Sequence, residues 1–224
     1  MKIILIAFFL FTASLVYSQD CKTYYFLQNN KTIEMTIYNR KGDVSGKQVY
    51  TVSDVHNSGG SVVATVHSEM FDKKGKSIVK AVNEIKCTNG IMMMDMKMSM
   101  PQSQASQFKD ASATASNVYI EYPASMKEGD DLKDASMQMD IDNNGMKQSI
   151  DMKVTNRKVQ GKEKVTTSAG TWDCFKITNN TKMKIKTMGI GIPMNMDMTE
   201  WFAPGFGVVK SESKSGGTAI TAIH

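Results

Sequence analysis

Apolar and polar residues alternate along most of this chain. Ile33, Met35 and Ile37 alternate with Glu34, Thr36 and Tyr38, and Met137, Met139 and Ile141 alternate with Gln138, Asp140 and Asp142. The same period recurs in Ile150, Met152 and Val154, in Met183 and Ile185 between Lys182, Lys184 and Lys186, and in Met194, Met196 and Met198. Successive side chains of a strand point to opposite faces, so this period predicts half-buried antiparallel strands. Turn-forming stretches punctuate the pattern: RKGD from Arg40, HNSGG from His56, DKKGK from Asp72, TNG from Thr88, DNNG from Asp142 and APGFG from Ala203. Such spacing predicts an all-β fold, a single antiparallel, curved or barrel-like sheet of roughly a dozen strands.

One segment breaks the rhythm. PQSQASQFKDASATASN, Pro101 to Asn117, is polar and does not alternate, and reads as a helix or loop crossover. It joins residues 19–100 to residues 118–224 within one expected β domain. DIDNNGMKQSID, from Asp140, imitates the opening of a calcium loop, with Asp140, Asp142, Asn144 and Gly145 in the first, third, fifth and sixth places. Its flanks alternate instead of forming helices, so Asn144-Gly145 reads as a hairpin turn, both residues tolerating positive φ.

Composition bears on what fills the strands. Beyond residue 18 there are eighteen methionines and only two leucines, Leu27 and Leu132. Methionine therefore stands where this fold needs a large, flexible apolar side chain. The row IMMMDMKMSM carries Met92, Met94, Met96, Met98 and Met100 on every second residue. It is expected to be a strand whose methionines face inward while Asp95, Lys97 and Ser99 face out. Met92, Met94, Met96 and Met98, with Met137, Met139, Met194, Met196, Met198 and the nearby Trp201, are the candidate wall of an apolar binding site. Two alternatives share the pattern: a structural or interaction module with a filled methionine core, and a soft-metal (copper) binder. Copper sites commonly add histidine to thioethers, and His56, His67 and His224 lie away from every methionine row, so no metal or other cofactor is expected.

The first residues predict export. Lys2, an apolar block from Ile3 to Phe11 and small residues around Ser18 form a signal peptide over residues 1–18, too short in its apolar block for a membrane anchor. Gln19 and Asp20 before Cys21 do not suit a lipoprotein cleavage site. The remainder carries 26 basic and 22 acidic residues, a net +4, with lysines scattered and no basic face for nucleic acid. No further apolar run suits a membrane span. An oxidising compartment allows one bridge among Cys21, Cys87 and Cys174, and Cys21–Cys87, flanking the first β unit, is the expected pair. No nucleophile elbow, H-E-x-x-H or phosphate loop is present, so no enzyme is expected.

GTWDCFKI from Gly170 and TEWFAPGFGVVKSE from Thr199, together with IYNRKGDVSGK, SEMFDKKGKSI and EYPASMKEGDDL, resemble the TapB-like family of uncharacterised secreted bacterial proteins. That resemblance implies an exported all-β protein, similar in style to the curved sheets of periplasmic lipoprotein carriers, with no catalytic residues to carry over. The expectation is a non-enzymatic protein of the periplasm or outer cell envelope. Its expected partner is an apolar small molecule or another envelope protein.

Overall fold

A computed structural model of the chain describes residues 21–100, 112–114, 118–143, 146–187 and 190–224. The expected signal peptide, most of the crossover and the Asn144-Gly145 turn lie outside these residues. Fourteen strands are present: β1 (Thr32–Asn39), β2 (Val44–Ser58), β3 (Ser61–Asp72), β4 (Ser77–Thr88), β5 (Ile91–Asp95), β6 (Ser112–Thr114), β7 (Tyr119–Tyr122), β8 (Asp131–Leu132), β9 (Ala135–Asn143), β10 (Met146–Thr167), β11 (Gly170–Thr187), β12 (Ile190–Ala203), β13 (Gly207–Ser213) and β14 (Gly216–Ile223). They form one sheet in the order β6-β9-β10-β11-β12-β13-β14-β1-β2-β3-β4-β5-β7, with β8 paired beside β10. The ladders are antiparallel, and most join neighbours in sequence. The all-β, barrel-like expectation is met.

Two meanders make this sheet, and β14 lying against β1 welds them together. Ile33 stands opposite Ile223 and Asn39 opposite Gly216, and Thr32 exchanges both backbone hydrogen bonds with His224. Close approach here demands glycine. A Cβ on Gly217 would stand 2.2 Å from the Ser211 carbonyl oxygen, and one on Gly216, at φ +131°, only 2.1 Å from that of Tyr38.

The sheet curls until β7 faces β10 without a ladder between them. Arg157 bridges this seam: its Nη1 donates to the carbonyl oxygens of Glu121 in β7 (3.0 Å) and Lys133 beside β8 (2.9 Å). Alternation from Ile150, Met152 and Val154 would turn Arg157 outward. The β10 register shifts between Thr155 and Lys158, where Asn156 takes a positive φ of 54°. That bulge reverses the parity of the strand and buries Arg157 and Val159.

The other end of the barrel is plugged by the segment before β1. Two single 3-10 turns, Cys21–Thr23 and Tyr25–Leu27, carry the buried Tyr24, Phe26 and Leu27. Phe26 meets Tyr50 and Phe206 edge-on, Tyr25 stacks on Phe206, and the Tyr25 N–H donates to the Gly205 carbonyl. Cys21–Cys87 ties the plug to β4, as expected, and Cys174 is a buried free thiol.

The methionine row departs from expectation. Strand β5 stops at Asp95, and Met96–Ser99 form a 3-10 turn. Asp95 is fully buried, not outward-facing. Its carboxylate caps the turn by accepting from the Lys97 N–H (3.0 Å) and pairs with the Lys97 ammonium (3.0 Å). A short acidic side chain that can accept from the backbone two residues on favours such a turn over continued strand.

Two outcomes follow for stability. Reducing Cys21–Cys87 opens a loop of 66 residues and should cost about 4 kcal/mol in the chain-entropy description, read as a lower urea midpoint under reductant. Peptide mapping without reduction should leave Cys174 alkylatable only after unfolding. Met96 is fully buried, so Met96→Leu should cost below about 1.5 kcal/mol. Met96→Asp should cost at least about 3 kcal/mol, through an unpaired buried carboxylate and lost packing. Equal urea midpoints for the two variants would place Met96 at the surface.

Candidate functional site

Inside the barrel, beyond the plugged end, lies a cavity of about 370 Å³. Its walls come from separate strands. Strand β12 contributes Met196, Met198 and Glu200, while β5 and the turn after it contribute Met94, Met98 and Met100. Met35, Tyr50 and Met70 line it from β1, β2 and β3, Ile120 and Tyr122 from β7, and Met152, Val154 and Thr181 from β10 and β11. Phe26 of the plug closes one end. The opposite end is polar, bounded by Asn39, Ser45, Ser213 and Ser215 at the hairpin ends.

The candidate residues fall into three groups. Met94, Met98, Met196 and Met198 meet around the cavity. Met92, Met96, Met137 and Met139 are buried in the packed core, and Met194 is half-buried against it. Trp201 sits on the opposite face of β12 from Glu200, between the ammonium groups of Lys210 (4.6 Å) and Lys176 (5.5 Å), and its Nε1 donates to Glu163. Trp201 is therefore buried, at 5% exposure, on the outward side of the sheet beneath these lysines and does not line the cavity.

One charged group in the cavity wall was missed: Glu200, the only acidic or basic side chain among its described lining residues. The signal was present, because Glu200 continues the row Met194, Met196, Met198 on the same face. Tyr122 donates its hydroxyl to Glu200 Oε2 (3.0 Å), and the Asn179 side chain lies beside the carboxyl. Thr181 donates in turn to Asn179 Oδ1 (3.0 Å). The Tyr122 ring is layered between Phe202, stacked at 4.6 Å, and the Arg157 guanidinium at 4.9 Å. Burial raises the Glu200 pKa above the ordinary carboxylate value and outweighs the opposing pull of Arg157 and the hydrogen bonds. Burial likewise pushes the Tyr122 and Tyr50 phenols up, Tyr122 further through the neighbouring Glu200 charge.

Nothing in this arrangement forms a nucleophile with its base. The Cys174 thiol is pushed up to about 12, chiefly by burial and then by Asp173 and Glu163, the reverse of the activation a thiolate nucleophile needs. Among the described residues no three His, Cys, Asp or Glu side chains gather where a metal ion would fit. A second depression, of about 550 Å³, lies outside the barrel beside β13, β14 and the tip of β10, and mixes Arg40, Thr166, Lys210 and Glu212. It lacks the continuous apolar wall of the interior cavity.

Fold and cavity together define a class: a nearly closed antiparallel barrel, packed at one end and hollow and methionine-lined at the other. The chain belongs to the DUF3108-like family, whose pattern matches residues 28–220. Two crystal structures share the fold. One, from Bacteroides fragilis NCTC 9343, is described as an exported protein with a YmcC-like fold; it has 22% identity and a TM-score of 0.71, with 88% of this chain and 96% of that chain covered. The other, described as a lipoprotein from Parabacteroides distasonis ATCC 8503, has 19% identity and a TM-score of 0.74, with 92% and 100% covered. No curated protein matches the chain.

The raised Glu200 pKa sets a pH dependence with a definite sign. The folded protein holds this proton more tightly than the unfolded chain, so the contribution of Glu200 is full below the ordinary value of 4.5 and is lost as pH rises through the folded pKa. Glu200→Gln should therefore become more stable relative to wild type as pH rises from 4.5. Thermal melts of both proteins across this range read the difference, and parallel curves would show Glu200 to be solvated like a surface carboxylate.

Proposed function

We propose that this chain is an exported, non-enzymatic binder or carrier of an apolar small molecule, which it holds in the methionine-lined cavity. The observation that carries the proposal is the wall itself. Thioethers from five separated segments, with Tyr50, Tyr122 and Phe26, enclose about 370 Å³, within the size range typical of small-molecule sites. Unbranched methionine side chains adapt to varied apolar shapes, which suits a site that accepts chains or rings of differing form. The polar end at Ser213 and Ser215 gives a ligand head group hydroxyl partners, while Tyr122 and Glu200 offer one deeper polar contact.

Export supports this reading from three sides: the N-terminal signal, the disulfide and the descriptions of the two fold relatives. Within the family we assign the chain to the TapB-like group on its closing W-F-A-P-G-F-G stretch and place it in the periplasm or outer envelope.

Organic extraction of the purified mature protein, followed by mass spectrometry, should recover a bound apolar molecule. Delipidated protein should bind a fluorescent alkyl probe, and Met196→Trp or Met98→Trp, which fill the cavity, should weaken that binding at least about ten-fold, near 1.4 kcal/mol. Met92→Leu, a change in the packed core, should leave it unaltered. A clean extract, together with equal probe binding by the filled variants, would reject the carrier reading in favour of a structural barrel.

A further inference from the structure

The cavity wall continues beyond the barrel. Strand β13 pairs with β12 only from Met198 onward, so β12 from Ile190 to Asp197 overhangs with one ladder edge unpaired among the described strands. Ile190 and Ile192 lie on this overhang, on the same face as Met194, Met196 and Met198. At 74% and 66% exposure they are the most exposed large apolar side chains among the described residues. Water-facing isoleucines at adjacent same-face positions mark an interaction surface more than a folding need.

Three neighbouring features select the partner. The other face of the hairpin carries Lys182, Lys184 and Lys186, with Lys153 opposite Lys182 on β10. Asp140, Asp151 and Asp197 share this face, with Asp151 pairing Lys186 at 2.7 Å, so the four lysines outnumber the acids by one and the patch stays net positive. Gly191 lets one of these cations reach the free edge: a Cβ there would stand 2.2 Å from Lys184 Cε, so the lysine lies across β12 on the face opposite the two isoleucines. Pro193 removes a backbone donor from the free edge. Proline and lysine are the devices that discourage another strand from pairing there, which disfavours a second copy of the chain.

We propose that the β11–β12 overhang docks the protein on an anionic lipid bilayer, Ile190 and Ile192 entering the interface while the lysines meet the lipid phosphates. An apolar edge flanked by long cationic side chains matches the boundary between acyl chains and head groups. The inference does not depend on the cavity being occupied, since it concerns where the protein sits.

Co-sedimentation of the full mature protein with vesicles tests it. Vesicles of phosphatidylcholine and phosphatidylglycerol in equal parts should carry the protein down at low salt, and phosphatidylcholine alone should do so far less. Ile190→Ser with Ile192→Ser should reduce binding at least about ten-fold. Lys182→Gln with Lys184→Gln should reduce it roughly five-fold per lysine, and only on the anionic vesicles. All four positions are in the overhang, and unchanged melting temperatures should show the variants folded. Lysozyme-like nonspecific attraction is separated by the isoleucine pair: if that variant binds as wild type does, the overhang is not the docking surface and the proposal falls. It also falls if wild type sediments with neither vesicle, or if the isoleucine pair instead dissolves a dimer seen by size-exclusion chromatography.

Discussion

A buried guanidinium holds this barrel shut. Every other junction in the sheet is a ladder, but between β7 and β10 the work of a ladder falls to Arg157. Hydrogen bonds from a charged donor are worth about 1.5–3 kcal/mol each. Arg157 makes one across the seam to Glu121 and one to Lys133 on its own side, Lys133 in turn pairs with Glu121 across the seam, and the guanidinium lies over the Tyr122 ring. At 1% exposure the guanidinium is compensated by these contacts at Nη1 and at its ring-facing side, while Nε and Nη2 are buried without a hydrogen-bond partner among the described residues. Removing one would strand a charge in an apolar interior, which is costlier than losing the bond alone. Tyr122 then passes the constraint inward, to Phe202 by stacking and to Glu200 by its hydroxyl. The polar corner of the cavity is thus the inner side of the seam, and its geometry is fixed by barrel closure.

The two ends of the barrel use one residue type differently. Near the plug, Met92 and Met96 are completely enclosed with Phe26, Tyr24 and Cys87, and act as core side chains with no free volume. Further along, Met94, Met98, Met196 and Met198 are only partly covered and border open space. The filled core and the apolar pocket were alternatives in the sequence, yet both exist in the same molecule a few residues apart. A methionine can serve either way because its thioether stem adjusts to whatever space is left.

Alternation made the strands and their inward faces legible, and the turns among the described residues fell where glycine and asparagine signalled them. It failed where the chain leaves strict period two. Asp95 stands between methionines, so alternation turns it outward, whereas its carboxylate caps a turn and ends the strand. Arg157 was invisible because its burial requires the bulge at Asn156. A trace of that bulge is nonetheless in the sequence: the buried positions run 150, 152, 154 and then 159, 165, a change of parity that an unbulged strand cannot make. Asp54, at φ 50°, marks the same device in β2, where the register shifts between Ser53 and His56. Glu200 was missed for a simpler reason. It takes the next same-face position after Met198, where a carboxylate that ends an apolar row has the pattern of a surface residue.

Unequal strand lengths explain why one end of this barrel is open. Strands β10, β11 and β12 have 22, 18 and 14 residues, whereas β13 and β14, which follow them around the sheet, have 7 and 8. At about 3.3 Å per residue, the unpaired stretch from Ile190 to Asp197 projects roughly 26 Å past the point where β13 ends, at Ser213. Short strands leave a gap in the wall, and the tight turn at Ser213–Gly216, drawn in by the glycines against β1, sets its lip. Lengthening β13 would pair the free edge of β12 and cover the apolar path from Ile192 through Met196 to the interior. The open mouth, the exposed isoleucines and the unpaired edge are therefore three consequences of a single mismatch in strand length.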